Sequence, residues 1–321
     1  MGIPHKKLLL YGLIALVISY LIPTFFPKSK YYINLLNLIG IYVIIATGLN
    51  IITGYCGQIN IGQGGFCAVG AYTTALFTLH ITSSLPVLLV ASIVVTGIIG
   101  LLVGISCLRL AGTYIAMTTL GFGAIVEVIL FGWEKLTRGS DGLRDIPYPR
   151  IVGSLAIGGE EDLLYVISLI TILLLLFAYN VVHSRLGRAF TAIRDDQLAA
   201  NLSGINVPRY KLYAFIMCAC YGGIGGCLYL FSAKCIFPEV FGLDFSILSL
   251  MMMVLGGMGN IMGGVLGAAL LTVSFELLRP LAEYQMVVYG TLIVVITIFI
   301  PNGLLGVGMD AFSFIKRRLQ K

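Results

Sequence analysis

Runs of about 20 apolar residues recur along almost the whole chain, and a helix needs about that many to cross the hydrocarbon core of a bilayer. The runs lie near 8–26, 33–52, 66–82, 85–107, 110–132, 161–182, 212–232, 245–262, 264–278 and 285–300. Inside lipid every backbone N–H and C=O must find a partner within the protein, and a helix satisfies its own. The expected fold is therefore an all-α integral membrane protein of about ten transmembrane helices. Composition excludes the water-soluble alternative. Of 321 residues, 59% are hydrophobic and only 11% charged, whereas a soluble domain is roughly a quarter charged. The 39 glycines suit membrane helices, where small residues let backbones approach. Gly100, Gly104, Gly222, Gly226, Gly263 and Gly267 form pairs four residues apart, the spacing of helix-packing faces. One bundle holds the whole of 1–321.

Ten spans put both termini on the same side. With that side in the cytoplasm, 12 of the 20 Lys and Arg fall inside, including the clusters at 185–211 and 316–321. That asymmetry agrees with the positive-inside rule. The first run follows His5-Lys6-Lys7 and resembles a signal peptide. It is long for one and ends Ile22-Pro23-Thr24-Phe25-Phe26 without a small-residue cleavage site. A retained helix is expected.

Enzyme chemistry finds no support. The seven cysteines form no CxxC pair, no histidine stands near them, and most lie within apolar runs as packing residues. His5, His80 and His183 are scattered, and no GxxxxGK[ST] phosphate loop occurs. Neither a metal nor a cofactor is expected. The net charge of +6 sits beside spans and does not form a nucleic-acid-binding face.

Three segments interrupt the apolar pattern. The polar loop 183–211 is too hydrophilic to cross, and its core, 188–203, reads as a helix that Gly204 stops. It is either a docking element or a solvated connector whose arginines set topology. The second segment, Thr53 to Gly65, carries five glycines and the amides Gln58, Asn60 and Gln63. Non-helical backbone at membrane depth is tolerated where it is buried in protein or lines a wet cavity, and broken helices mark transport paths. A plain cytoplasmic turn is the alternative. The third, Leu255 to Gly264, holds Gly257, Gly259 and Asn260. Asn60-Ile61 and Asn260-Ile261 stand 200 residues apart, either as a degenerate repeat or by chance.

Taken in order, several stretches resemble the permease subunits of branched-chain amino-acid ABC importers, specifically the LivM-like branch of the LivH/LivM family. They are Gly48-Leu49-Asn50 through Gly70-Ala71-Tyr72, Leu108 through Thr113-Tyr114 and on to Gly123, Gly139-Ser140-Asp141-Gly142-Leu143, Gly187-Arg188-Ala189 through Gly204-Ile205, and Gly256-Gly257-Met258-Gly259. The likeness covers roughly 40–300. It implies that 183–211 is the cytoplasmic loop that contacts an ATPase. Ala199-Ala200-Asn201-Leu202-Ser203-Gly204 fits the family's A-A-x-x-x-G pattern. The family's acidic first position is Leu198 here, with Asp195 and Asp196 a turn earlier. The run Arg109-Leu110-Ala111-Gly112-Thr113 lacks the charged residues common in the family.

The resemblance thus implies a coupling loop of Arg188, Asp195, Asp196, Ala199, Ala200 and Gly204. Gln58, Asn60, Gln63, Gly257, Gly259 and Asn260 are expected along the translocation path. Implied partners are a LivH-like second permease, two ABC ATPases, a periplasmic or tethered substrate-binding protein and the inner-membrane bilayer. Urea or short amides are the alternative cargo within the same family branch. An ion-coupled secondary transporter is the alternative from another class, but such proteins keep ionisable groups within spans, and only Glu127 and Glu276 qualify.

Overall fold

The computed structural model describes residues 30–110, 112–152, 155–277 and 290–291. The expected span near 8–26, and that near 285–300 apart from 290–291, lie outside the described residues. The elements run α1 (Lys30–Leu49), a π-helical turn (Asn50–Tyr55), α2 (Gln63–His80), α3 (Leu85–Cys107), α4 (Thr113–Gly132), the single turn α5 (Glu134–Thr137), a minimal hairpin of β1 (Arg150–Val152) and β2 (Leu155–Ala156), α6 (Glu160–His183), α7 (Arg185–Asp195), α8 (Gln197–Leu202), α9 (Val207–Ala233), α10 (Leu243–Gly256) and α11 (Ile261–Leu277).

Helix α3 shows which solvent surrounds the bundle. From Ser92 to Gly104 its buried face is small and polar: Ser92, Thr96, Gly100 and Gly104. Its exposed face is Val87, Val90, Val94, Ile98, Leu102 and Ile105. Both faces repeat every three or four residues, the period of one helix side. A soluble protein would bury the large apolar side chains and expose the polar ones. The reversal fits lipid outside and close helix packing inside. Six segments among the described residues are long and apolar enough to cross a membrane: Lys30–Tyr55, Leu85–Cys107, Thr113–Gly132, Glu160–His183, Val207–Ala233 and Pro238–Gly256. Helix α11 is apolar but shorter, at 17 residues. Helix α2 has 18 residues, with threonines and glycines diluting its apolar content. The chain is a multi-pass membrane protein.

The long helix α9 stands at the centre, buried from Ala214 to Phe231 with no single apolar face. Helices α1, α2 and α3 pack around it. Glycines set these crossings. A methyl group on Gly100 would strike Ala219, and one on Gly70 would strike the backbone of Gly223. Gly104, Gly222, Gly226, Gly263 and Gly267 also face neighbouring helices, so all six paired glycines serve packing as expected. Several hydroxyls inside the bundle bond to backbone carbonyls. Thr47 donates to Val43 O at 2.7 Å, Thr96 to Ser92 O at 2.7 Å, and Ser92 to Gly223 O at 2.8 Å. Such bonds make a polar side chain tolerable away from water.

The connections gather at two ends. At one, Arg150 N donates to Ser83 O at 2.7 Å and Leu143 N to Ile236 O at 3.0 Å. Lys234 lies here with its Nζ 4.6 Å from the Tyr148 ring centroid. A hydrogen bond with Tyr148 holds that ammonium above its ordinary pKa. At the other end lie α7, α8 and both glycine-rich breaks. The two expected spans near 245–262 and 264–278 become α10 and α11, and the helix stops at Gly256. It stops there because Gly257 and Gly259 take φ of +119° and +73°, which favour glycine.

Candidate functional site

The first break begins in the last turn of the α1 span. There the ladder widens to i→i+5, with Cys56 N donating to Ile51 O at 3.2 Å. Single π turns recur at functional sites. Beyond it the chain turns at Gly57, at φ +71°, and crosses to α2 without regular secondary structure. Gln58 and Asn60 are buried, while Gly57 and Ile59 are exposed. Thr53 straddles the bend: its hydroxyl donates to Gln58 O at 3.0 Å and accepts from Asn60 N at 3.3 Å.

The buried amides form a polar seam against α9. Asn60 Nδ2 donates to Gln63 Oε1 at 3.2 Å and lies 3.3 Å from Cys218 Sγ. The Cys218 thiol donates to the same Gln63 oxygen at 2.9 Å. Gln58 Oε1 and Gln63 Nε2 are fully buried and have no hydrogen-bond partner among the described residues. Leaving such a group unpaired costs about 1–3 kcal/mol each, and in a native structure it calls for a role.

The second break adopts the same local turn as the first. Asn60 Oδ1 accepts from Gly62 N at 2.9 Å, and Asn260 Oδ1 accepts from Met262 N at 3.0 Å. Each asparagine thus leads its chain into the following helix. The two breaks meet through Asn50, which was not among the expected site residues. Its Oδ1 accepts from Gly259 N at 2.9 Å and its Nδ2 donates to Asn260 O at 2.8 Å. Gly259 and Asn260 therefore join the first break near Gly54, whereas Asn60 and Gln63 turn to α9. A separate cavity of about 440 Å³, lined by Tyr42, Tyr229, Asp244, Phe245, Met251 and Phe275, touches none of the six expected path residues.

The loop 183–211 is two helices, not the single helix expected over 188–203. Asp196 leaves helical geometry at φ −157°, ψ 114°. Its Oδ1 accepts from Leu198 N at 2.8 Å and Ala199 N at 3.1 Å. An aspartate satisfies the orphan N–H groups of a helix start, so the second of two adjacent aspartates ends α7 and begins α8. Helix α7 buries Gly187, Ala189, Phe190 and Ile193, and leaves Arg188 and Asp195 outside.

On α8, Ala200 is buried and Ala199 exposed. Leu198 and Leu202 are 69% and 80% exposed, four residues apart on one side of the helix. Gly204, at φ +82°, closes α8. Gly204 N donates to Asn201 O at 3.0 Å and Ile205 N to Ala200 O at 3.1 Å, the paired bonds of a Schellman motif. Pro208 then stands in the first turn of α9, capped by Asn206, where proline is favoured. Lys211 Nζ ties α9 back to α8 by donating to Gln197 Oε1 at 3.0 Å.

Residues 31–297 match the family described as branched-chain amino acid transport system permease components. The chain is similar to the high-affinity branched-chain amino acid transport system permease protein LivM of Salmonella typhimurium, with 34% identity across 94% of this chain and 75% of that protein. Similarity to LivM of Escherichia coli K12 is the same on each measure. Similarity to the permease protein LivH of Salmonella typhimurium is 28% identity across 83% of this chain and 91% of that one. No solved structure matches.

Proposed function

Since the chain belongs to the family of branched-chain amino acid transport permease components, we propose that it forms one half of the membrane path of an ATP-driven importer for branched-chain and other hydrophobic amino acids. It is a transporter subunit, and ATP hydrolysis takes place in separate subunits. The assembly contains a LivH-like second permease, two ATPases and a periplasmic or tethered binding protein. The chain is one permease domain of ten helices in the inner membrane, with both termini and the 183–211 loop in the cytoplasm.

The observation that carries this reading is the surface helix pair α7–α8. It presents Leu198 and Leu202 to the outside at the same end as both glycine-rich breaks. An amphipathic element with an unpartnered apolar pair suits a groove in a partner. Arg188, Asp195, Asp196, Ala199, Ala200 and Gly204 belong to that docking element. Gln58, Asn60 and Gln63, with Gly257, Gly259 and Asn260, flank the path. The unpaired oxygen of Gln58 and the unpaired nitrogen of Gln63 offer hydrogen bonds to a zwitterion in passage without a charge to trap it.

Gly204→Leu tests the docking role. Among the described residues no atom lies within 4 Å of a methyl built on Gly204, so the first carbon of a new side chain meets no neighbour. A side chain at positive φ still costs about 1–2 kcal/mol, and the end of α8 should distort. Uptake of labelled leucine into vesicles and co-purification with the ATPase should both fall at normal membrane abundance. Uptake and co-purification at wild-type levels would make the loop a mere connector. Labelled urea run in parallel distinguishes the alternative cargo.

A further inference from the structure

Two helices end where α7 ends. The α1 span finishes at Tyr55 and α10 at Gly256. Helix C-termini carry unsatisfied carbonyls and a partial negative charge that favours a cation. Arg194, in the last turn of α7, supplies it. Its Nη1 donates to Gly54 O at 2.7 Å. A methyl on Gly57 would lie 3.1–3.2 Å from Arg194 Cα, Cβ and Cγ, so the arginine stem runs along that glycine. A methyl on Gly259 would come to 2.5 Å from Nη1. One side chain thus touches both broken segments, beside the point where Asn50 joins them. Arg194 is otherwise exposed, so it is no core-packing residue.

We propose that Arg194 is the positioning residue that carries movement of α7 into the two broken segments, with Asn50 making those segments move as one body. The proposal rests on the reading of α7–α8 as the ATPase-docking element. Its physical basis is a charge-assisted hydrogen bond, shorter and stronger than a neutral one, held on a surface helix that a partner can push. Lysine would keep the charge but lose the planar fork that faces two strands of backbone at once.

The test uses the whole transporter, reconstituted in vesicles with its ATPases and binding protein. Arg194→Ala should lower leucine uptake by about tenfold, within the range for coupling between sites, while ATP hydrolysis continues. Arg194→Lys should fall between the two. A second readout follows the motion itself. Ile59 is 40% exposed on the first break. A thiol introduced by Ile59→Cys should change reactivity between ATP and ADP states, with the unmodified chain as blank. That change should vanish in the Arg194→Ala background.

Undiminished uptake by Arg194→Ala overturns the proposal. So does a retained nucleotide-dependent change at position 59, because the motion then arrives without the arginine. Should Arg194→Ala fail to accumulate in the membrane, Arg194→Met keeps the apolar stem, removes the donor and carries the same comparison. Absence of ATP-driven uptake by the unmodified assembly would overturn the importer reading, and this inference with it.

Discussion

Gly54 occupies a helical position where alanine would ordinarily be better by about 1 kcal/mol. Here the sign reverses. An added methyl would collide with Asn50 Oδ1 and lie 2.6 Å from Gly259 N. Those two atoms are themselves hydrogen-bonded, at 2.9 Å, so neither can retreat without breaking the join between the segments. Overpacking a tight site costs about 1–3 kcal/mol, and the lost bond adds to it. Gly54→Ala should therefore lower the melting temperature of the purified protein in detergent, and uptake should fall with it. An unchanged or raised melting temperature would mean that the two breaks separate freely and that Asn50 clamps nothing. Asn50 and Arg194 lie in stretches that carry the family resemblance, but nothing local in the sequence marks either as a site residue. One asparagine in an apolar run reads as a tolerated polar residue, and one arginine in a basic loop as a topology signal. Their partners stand 209 and 140 residues away, beyond the reach of any local pattern.

At the scale of elements, legibility followed the sharpness of the boundary. The run 85–107 coincides with α3, and 161–182 with α6 to within a residue at each end. In both cases a continuous apolar stretch meets turn-forming residues. The apolar run of the α9 span starts near 212 but its helix begins at Val207, because polar residues can continue a helix beyond the apolar run. The loop helix departs from expectation for a different reason. Asp195 and Asp196 are adjacent and both suit a helix cap, and the structure shows the break at Asp196, whose carboxylate caps α8. The Asn-Ile pairs at 60 and 260 share a local turn, in which each asparagine accepts from the N–H two residues on.

The cap at Asp196 makes a prediction of its own. Helix α8 has six residues, too few to hold together alone. Its start depends on two bonds to one carboxylate. Asp196→Ala should weaken it by about 0.5–2 kcal/mol. Amides of 198–202 should then exchange hydrogen faster while those of α9 keep their protection. Unchanged exchange in α8 would show that its contacts with α9 suffice.

For the whole molecule the open question is sidedness, and the fold constrains it tightly. The loops 134–159 and 234–237 share one end, through the bonds of Leu143 and Ile146 to Ile236 and Lys234. Helices α7 and α8 share the opposite end with Gly54 and Gly259. Whichever side the membrane assigns to one group, the other group takes the opposite. The cluster at 185–211 holds Arg185, Arg188, Arg194, Arg209 and Lys211 with only two acids, so the positive-inside rule predicts a cytoplasmic position for that end. The end at 134–159 mixes Lys135, Arg138, Arg144 and Arg150 with Glu134, Asp141 and Asp145 and exerts a weaker pull. Reporter fusions within 183–211 should therefore read cytoplasmic, and fusions between 140 and 150 should read external. A fusion after Lys321 tests the parity of the spans outside the described residues, and ten spans require a cytoplasmic signal there. An external signal after Lys321 with the other two as expected would mean an odd number of crossings. A cytoplasmic signal from 140–150 would invert the molecule. It would place α7 and α8 where no ATPase can reach them, and the importer mechanism would fail with it.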